Sequence, residues 1–340
     1  MRHLVFLKKH TLEWQEAAAP ALGGPNEAIV RPLAVALCDL DVWLIQGVAP
    51  FPGPFPLGHE FVAEVVEVGD AVASVRPGQR VVVTFQICCG RCERCARGLT
   101  GSCRSAPAGA MYGFKPLGGD WGGAIADLVR VPFADAMCFP LPMGVTPAAV
   151  ASASDNIADA WRAVGPPLAE RPGATVLIVG SAMSISLYAV AVAKALGAGR
   201  VDYLPPNAAQ GERAQALGAT LVEGAPPARA GSYPITVDAS GDREGLNLAL
   251  GSTAPDGVCT STAIYFGEPV PMPLFEMYLK VVTFETGRVH ARPAIPKVLD
   301  LAAGGEFRPA EVTSRVVTWE DAPAALLERD WVKLVAQRAV

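Results

Sequence analysis

Five of the chain's eight cysteines fall within residues 88–103, in the run CCGRCERCARGLTGSC. Cys89, Cys92, Cys95 and Cys103 are three, three and eight residues apart. Four thiolates in one short loop can close a tetrahedral shell around zinc and leave no position for water or substrate. In a reducing compartment, such clustering argues for metal and against disulfides. Cys88 is expected to point away from the set. Arg91, Arg94, Arg97 and Arg104 surround the loop and would lessen the cost of gathering four thiolates. A zinc held here pins a lobe and does no chemistry.

The rest of the chain must build around that loop. Its 340 residues suffice for a large core and suggest two domains. A net charge of −5 gives no electrostatic case for nucleic acid or an anionic membrane. The stretch MRHLVFLKKHTLEW lacks the long apolar core of a signal peptide, so a cytoplasmic protein is expected. No charge occurs from Pro172 to Ala193, a length that could cross a bilayer. Gly180 and the serines at 181, 184 and 186 instead divide it into a buried strand and an amphipathic helix.

Up to about residue 145 the texture is turn-rich and strand-like, with EFVAEVVEVG and GQRVVV as short β runs. From about 150 it changes. TVLIVG (175–180) reads as a buried strand, and a helical pattern follows through Ile185, Tyr188, Ala189, Val192 and Leu196, ended by Gly197. Then come VDYL (201–204), helical GERAQALGA (211–219), ITVDAS (235–240), helical REGLNLAL (243–250) and VCTSTAIYF (258–266). Alternating strands and helices imply a parallel, doubly wound sheet. The helix around AIPKVLDLAAGGE and the strand VTSRVVTW could complete either domain.

A second, dispersed constellation consists of Cys38 and Asp41 in ALCDLD, His59 and Glu60 in LGHEF, and Asp155 in SASDN. A cysteine, a histidine and an acid from separate segments make a plausible three-ligand zinc site with an open fourth position. Asp41 or Glu60 could orient His59. Alone, Cys38 would more often be a small core residue.

Cys38 with Asp41, the Gly58-His59-Glu60 triplet, EVVEVGDAVASVRPGQRVVV, the four-cysteine loop and the later strand–glycine–helix together resemble the zinc-dependent medium-chain alcohol dehydrogenases. The resemblance runs through nearly the whole chain. It implies a GroES-like catalytic domain from residues 1–149 and 287–340 around a Rossmann domain from 150–286. It implies Cys38, His59 and Asp155 as catalytic zinc ligands, with Asp155 in a place where many members carry Glu or Cys. Glu60 would be a carboxylate able to exchange with water at the metal. Two zincs per chain, NAD(H) or NADP(H), a small-molecule substrate and a homodimer or homotetramer follow. So does hydride transfer between an alcohol and an aldehyde or ketone.

Three positions depart from the family pattern. Leu40 stands where a Ser or Thr usually relays the alcohol proton. The phosphate loop, Gly180-Ser181-Ala182-Met183-Ser184-Ile185, keeps one glycine of three; Ala182 takes the second place, and Ile185 or Ser186 the third. Pro205-Pro206-Asn207 stands where an acidic residue would hold the ribose, and Asp202 lies within the strand. Serines and a helix N-terminus could still hold phosphate. The alternative is a redox-silent member whose open zinc catalyses a non-redox step, with weak or absent nucleotide binding; a binding protein without turnover is a third reading. Trp43, Phe51, Trp121 and Met277 could line a cleft or simply be core. His290, between Arg288 and Arg292, reads as a phosphate contact or a solvated basic turn.

Overall fold

A computed structural model describes residues 1–223, 229–267, 269–328 and 330–339. The chain divides into two compact units, one of residues 1–158, 289–305 and 313–340, the other of 159–288 and 306–312. These divisions fall a little beyond the boundaries expected at 149/150 and 286/287. The helix Ala291–Gly304 and the strand Arg315–Thr318 both belong to the first unit.

The first unit is built on a seven-stranded sheet. In spatial order it runs Arg315–Thr318, Leu334–Gln337, Ala28–Ala36, Glu60–Val68, Arg80–Val83 and Cys138–Pro140, with Val129–Val131 also pairing Ala28–Ala36. The central strand AIVRPLAVA is buried at every position but Arg31, as befits a strand covered on both faces. Small residues set the depth of one covering piece. The short 3-10 turn Ala151–Ser154 packs Ala151 onto Ala34, Ala36 and Val335, and so brings Ser152 and Asp155 down beside the sheet.

The second unit holds a six-stranded parallel sheet in the order Thr220–Leu221, Arg200–Leu204, Thr175–Val179, Tyr233–Asp238, Thr253–Ser261, Thr283–Glu285. The order reverses between the first strand of the unit, Thr175–Val179, and its neighbour Tyr233–Asp238, which is the switch point of a doubly wound sheet. Gly197 adopts φ +77° just past the helix Ile185–Ala195, a left-handed stop that glycine takes without strain. The next helix spans Ala208–Ala216 and begins earlier than the apolar pattern suggests, because Asn207 accepts the Gln210 N–H at 3.0 Å and caps it. The uncharged stretch 172–193 is a strand, a turn and part of a helix, and no helix among the described residues is long and apolar enough to cross a membrane.

A candidate metal centre and its surroundings

Cys38 stands where the central strand gives way to the helix Asp39–Ile45, and its N–H is taken by Asp41 Oδ2 at 2.9 Å. His59 immediately precedes the neighbouring strand Glu60–Val68. Gly58 before it has φ +92°, and a Cβ there would lie 2.9 Å from both the backbone nitrogen and Cγ1 of Ile125, so only glycine delivers the histidine at this depth. Asp155 comes from the end of the 3-10 turn. One donor atom each from Cys38, His59, Glu60 and Asp155 falls within 4.8 Å of the others.

Inside this cluster His59 Nε2 is 3.3 Å from Asp155 Oδ2, and Nδ1 is 3.7 Å from Asp41 Oδ1. Phe85 and Phe114 close over the imidazole, with ring centroids 5.9 and 5.6 Å away. Burial pulls the His59 imidazolium down, but Asp41, Asp155 and Glu60 outweigh it and hold the group at about 9. Burial and the same carboxylates push the Cys38 thiol well up. Glu60 is pushed up to about 7 by burial, opposed by the nearby Lys333 ammonium. Desolvation pushes the carboxyl of the half-buried Asp155 up, yet His59 outweighs it and holds the group below the usual range. Asp41 Oδ1, His59 Nδ1 and Glu60 Oε1 are buried without a hydrogen-bond partner. One sulfur, one imidazole and a carboxylate, gathered where negative charge is in excess, fit zinc by donor chemistry.

Three residues that sequence reasoning missed complete the surroundings. Lys333 is fully buried and donates to Leu37 O at 2.8 Å, Glu60 Oε2 at 2.8 Å and Asn156 Oδ1 at 2.7 Å. Asn156 in turn donates to Cys38 Sγ at 3.4 Å, and the Ser152 hydroxyl donates to Glu60. The available signal was a lone lysine inside the apolar run WVKLVA, since an ammonium in such a strand needs buried acceptors.

The sulfur loop also comes together. The sulfur atoms of Cys89, Cys92, Cys95 and Cys103 lie within 4.8 Å of one another, and Cys88 stays outside the set. Backbone N–H groups point at these sulfurs, from Cys92 to Cys89 at 3.3 Å, Cys89 to Cys103 at 3.4 Å and Ser105 to Cys103 at 3.3 Å. Such N–H···S bonds stabilise thiolates around a metal. Arg104 contributes its backbone N–H to Cys92 at 3.5 Å, while its guanidinium pairs with Glu93 at 3.2 Å. The arginine effect expected from sequence is thus partly a main-chain effect.

His290 accepts the Gly101 N–H at 3.0 Å and Arg292 donates to Ala136 O at 2.9 Å. Gln86 adds bonds to Val289 O at 2.8 Å and from Ala291 N at 3.3 Å. These contacts anchor the segment where the chain re-enters the first unit, with His290 tying it to the sulfur loop through Gly101. Phe51 packs edge-on against Phe114 at 5.7 Å, which puts it one ring away from His59. Met277 packs against the core of the second unit, and Trp121 donates to Gly118 O at 2.9 Å.

In the second unit the Gly180 N–H donates to Leu204 O at 3.0 Å, which sets the turn Gly180–Ser184 beside Pro205. A Cβ on Gly180 would lie 2.1 Å from the Tyr203 hydroxyl, which bonds Ser186 Oγ at 3.0 Å. Gly180 is therefore glycine to admit Tyr203. Asp202 pairs with Arg200 at 2.8 Å and accepts the Tyr233 hydroxyl at 2.7 Å, a structural task within the strand. The turn leads into the eleven-residue helix Ile185–Ala195, whose dipole favours negative charge at this end.

Residues 24–143 match the family described as the alcohol dehydrogenase GroES-like domain. A probable zinc-binding alcohol dehydrogenase of Mycobacterium tuberculosis is 29% identical over 85% of this chain and 74% of its own length. A glutathione-independent formaldehyde dehydrogenase of Pseudomonas aeruginosa is 34% identical, but the match spans only 42% of this chain and 37% of that protein. Among solved structures, an alcohol dehydrogenase from Thermus sp. ATN1 superposes with a TM-score of 0.88 over 100% of both chains at 29% identity. A putative zinc-binding dehydrogenase from Sinorhizobium meliloti, bound to NADP, shares the fold with a TM-score of 0.80 at 23% identity, over 99% of this chain and 98% of its own. These relatives are named as dehydrogenases, and none supports a redox-silent reading. The first unit thus carries a GroES-like domain and the second a Rossmann-like parallel sheet, and the chain belongs to the zinc-dependent medium-chain alcohol dehydrogenase family of oxidoreductases.

Proposed function

We propose that the chain interconverts a small alcohol and its aldehyde or ketone with NAD(H) or NADP(H). In this reading one zinc is held by Cys38, His59 and Asp155, and a second by Cys89, Cys92, Cys95 and Cys103. The observation that carries the reading is the convergence of Cys38, His59 and Asp155 from three separate segments, with buried polar atoms beside them left unpartnered. Zinc, when bound, supplies Lewis acidity toward a substrate oxygen, and the nicotinamide supplies hydride acceptance or donation.

The protein's own groups do the rest. Asp41 faces His59 Nδ1 and fixes the ring, leaving Nε2 for the metal. Glu60 stands at the same cluster, held back by Lys333 and Ser152. Phe51, Phe85 and Phe114 form an apolar wall that keeps water away from His59. Leu40 has no proton to pass, so the substrate proton leaves by a group other than residue 40. Gly180, Ser181, Ala182, Met183, Ser184 and Ile185, with Pro205, form the proposed nucleotide contacts.

Self-association as a homodimer or homotetramer is part of the reading. The helix Leu274–Lys280 exposes Leu274, Phe275, Tyr278 and Leu279, with Phe275 76% and Tyr278 78% exposed, beside the edge strand Thr283–Glu285. A contiguous apolar face of this kind marks an interaction surface. Calorimetric titration with NADH and with NADPH tests the redox assignment. Heat with one of them is expected, and no heat with either up to millimolar concentration would overturn it.

A further inference from the structure

Lys333 brings three acceptors to one ammonium, and their identities fix how the Asn156 amide is turned. An ammonium only donates, so the atom of Asn156 that faces it at 2.7 Å must be Oδ1. The amide nitrogen then has one direction left, and it lies 3.4 Å from Cys38 Sγ. The chain of contacts is continuous, from Lys333 Nζ through the Asn156 amide to the sulfur of Cys38. Asn156 follows Asp155 directly, so the same turn that delivers a carboxylate to the cluster delivers an N–H to its sulfur.

We propose that Asn156 is a positioning residue that couples the buried Lys333 charge to Cys38, weakening the electron donation of the sulfur and raising the Lewis acidity of the metal. The inference rests on the proposed Cys38–His59–Asp155 metal site. Its physical basis is that a hydrogen bond to a ligating thiolate draws density from the sulfur, and that a cation on the far side of the amide strengthens that bond. Hydrogen bonds of this outer kind typically change metal affinity or activity 10- to 100-fold, by ~10²-fold at most.

The test is cobalt substitution. Subtracting the spectrum of Cys38→Ser from that of the wild type isolates the charge-transfer band of Cys38. In Asn156→Leu that band is expected at longer wavelength, because a sulfur without the N–H bond gives up its electron density more readily. A Cys38 band at the same wavelength in both proteins would overturn the inference and leave the metal assignment standing. Absence of any Cys38-dependent band in the wild type would overturn the metal assignment and the inference with it. Should Asn156→Leu not fold, spin-active cadmium in the wild-type protein decides. Through-bond coupling from cadmium to one asparagine side-chain N–H supports the proposal, and a cadmium signal from this site without such coupling overturns it.

Discussion

Asp41 is buried behind His59, its Oδ1 3.7 Å from the ring Nδ1 while Oδ2 takes the Cys38 N–H at 2.9 Å. One carboxylate thus lies against two of the three proposed ligands, bonded to the backbone of one and facing the ring of the other. Asp41→Asn keeps the shape and loses the charge. It is expected to weaken zinc at this site about 10- to 100-fold and to leave the sulfur-loop zinc in place. Metal content after mild chelation should fall from two zincs per chain toward one.

The sulfur loop is bonded through Gly101 and Gln86 to the segment Val289–Ala291, so losing its metal should loosen more than the loop itself. Cys92→Ser is expected to cost roughly 3 kcal/mol. In a unit of this size that corresponds to a Tm lower by about 6 to 12 °C. Catalysis per folded molecule should change little. Differential scanning calorimetry on the metal-loaded protein provides the check.

Metal binding at the open site has to displace the proton that His59 holds up to about 9 when no metal is present. Protonated imidazole is no ligand, so protons compete with metal, and the share of the affinity that His59 controls rises with pH until the ring is neutral. Below pH 9 the gain from this group is about tenfold per pH unit. Zinc titrations in competition with a chelator, from pH 6 to pH 9, should show that rise; a flat profile would contradict it.

Lys333 and Glu60 are both fully buried, and removing one partner strands the other. Lys333→Met is expected to destabilise the protein by about 3–5 kcal/mol, the cost of an unpaired buried charge. Glu60→Gln with Lys333→Met should recover part of the loss. Urea denaturation of the two variants distinguishes a charge effect from a packing effect.

Gly180→Ala would press a methyl group onto the Tyr203 hydroxyl. Overpacking of this kind costs ~1–3 kcal/mol, so lost stability, and not merely lost nucleotide affinity, is the expected result. Shortening the neighbour in the Gly180→Ala/Tyr203→Val protein should relieve the clash and restore part of the stability, again read by denaturation.

The elements read from sequence were those whose causes are local. The strand Thr175–Val179 announces itself by an unbroken apolar run, and Gly197 marks the end of the following helix. The sulfur loop was legible because its four cysteines are neighbours in the chain. Cys38, His59 and Asp155 were gathered by residue type and family resemblance, and their spatial convergence depends on packing that no short window contains. Ala151 against Ala34, Ala36 and Val335 is what sets that turn's depth. Lys333 and Asn156 escaped notice because their meaning lies entirely in partners far along the chain, Leu37, Glu60 and Cys38.

Tyr203 beneath Gly180 changes what a glycine in such a turn records. The bare Cα at 180 is the imprint of a ring from the adjoining strand, so its identity answers to residue 203 before it answers to any ligand. Position 180 is free to vary only after position 203 has changed, since a smaller side chain at 203 would release 180 from being glycine at all. Counting glycines along this turn therefore measures how the strand next door is filled.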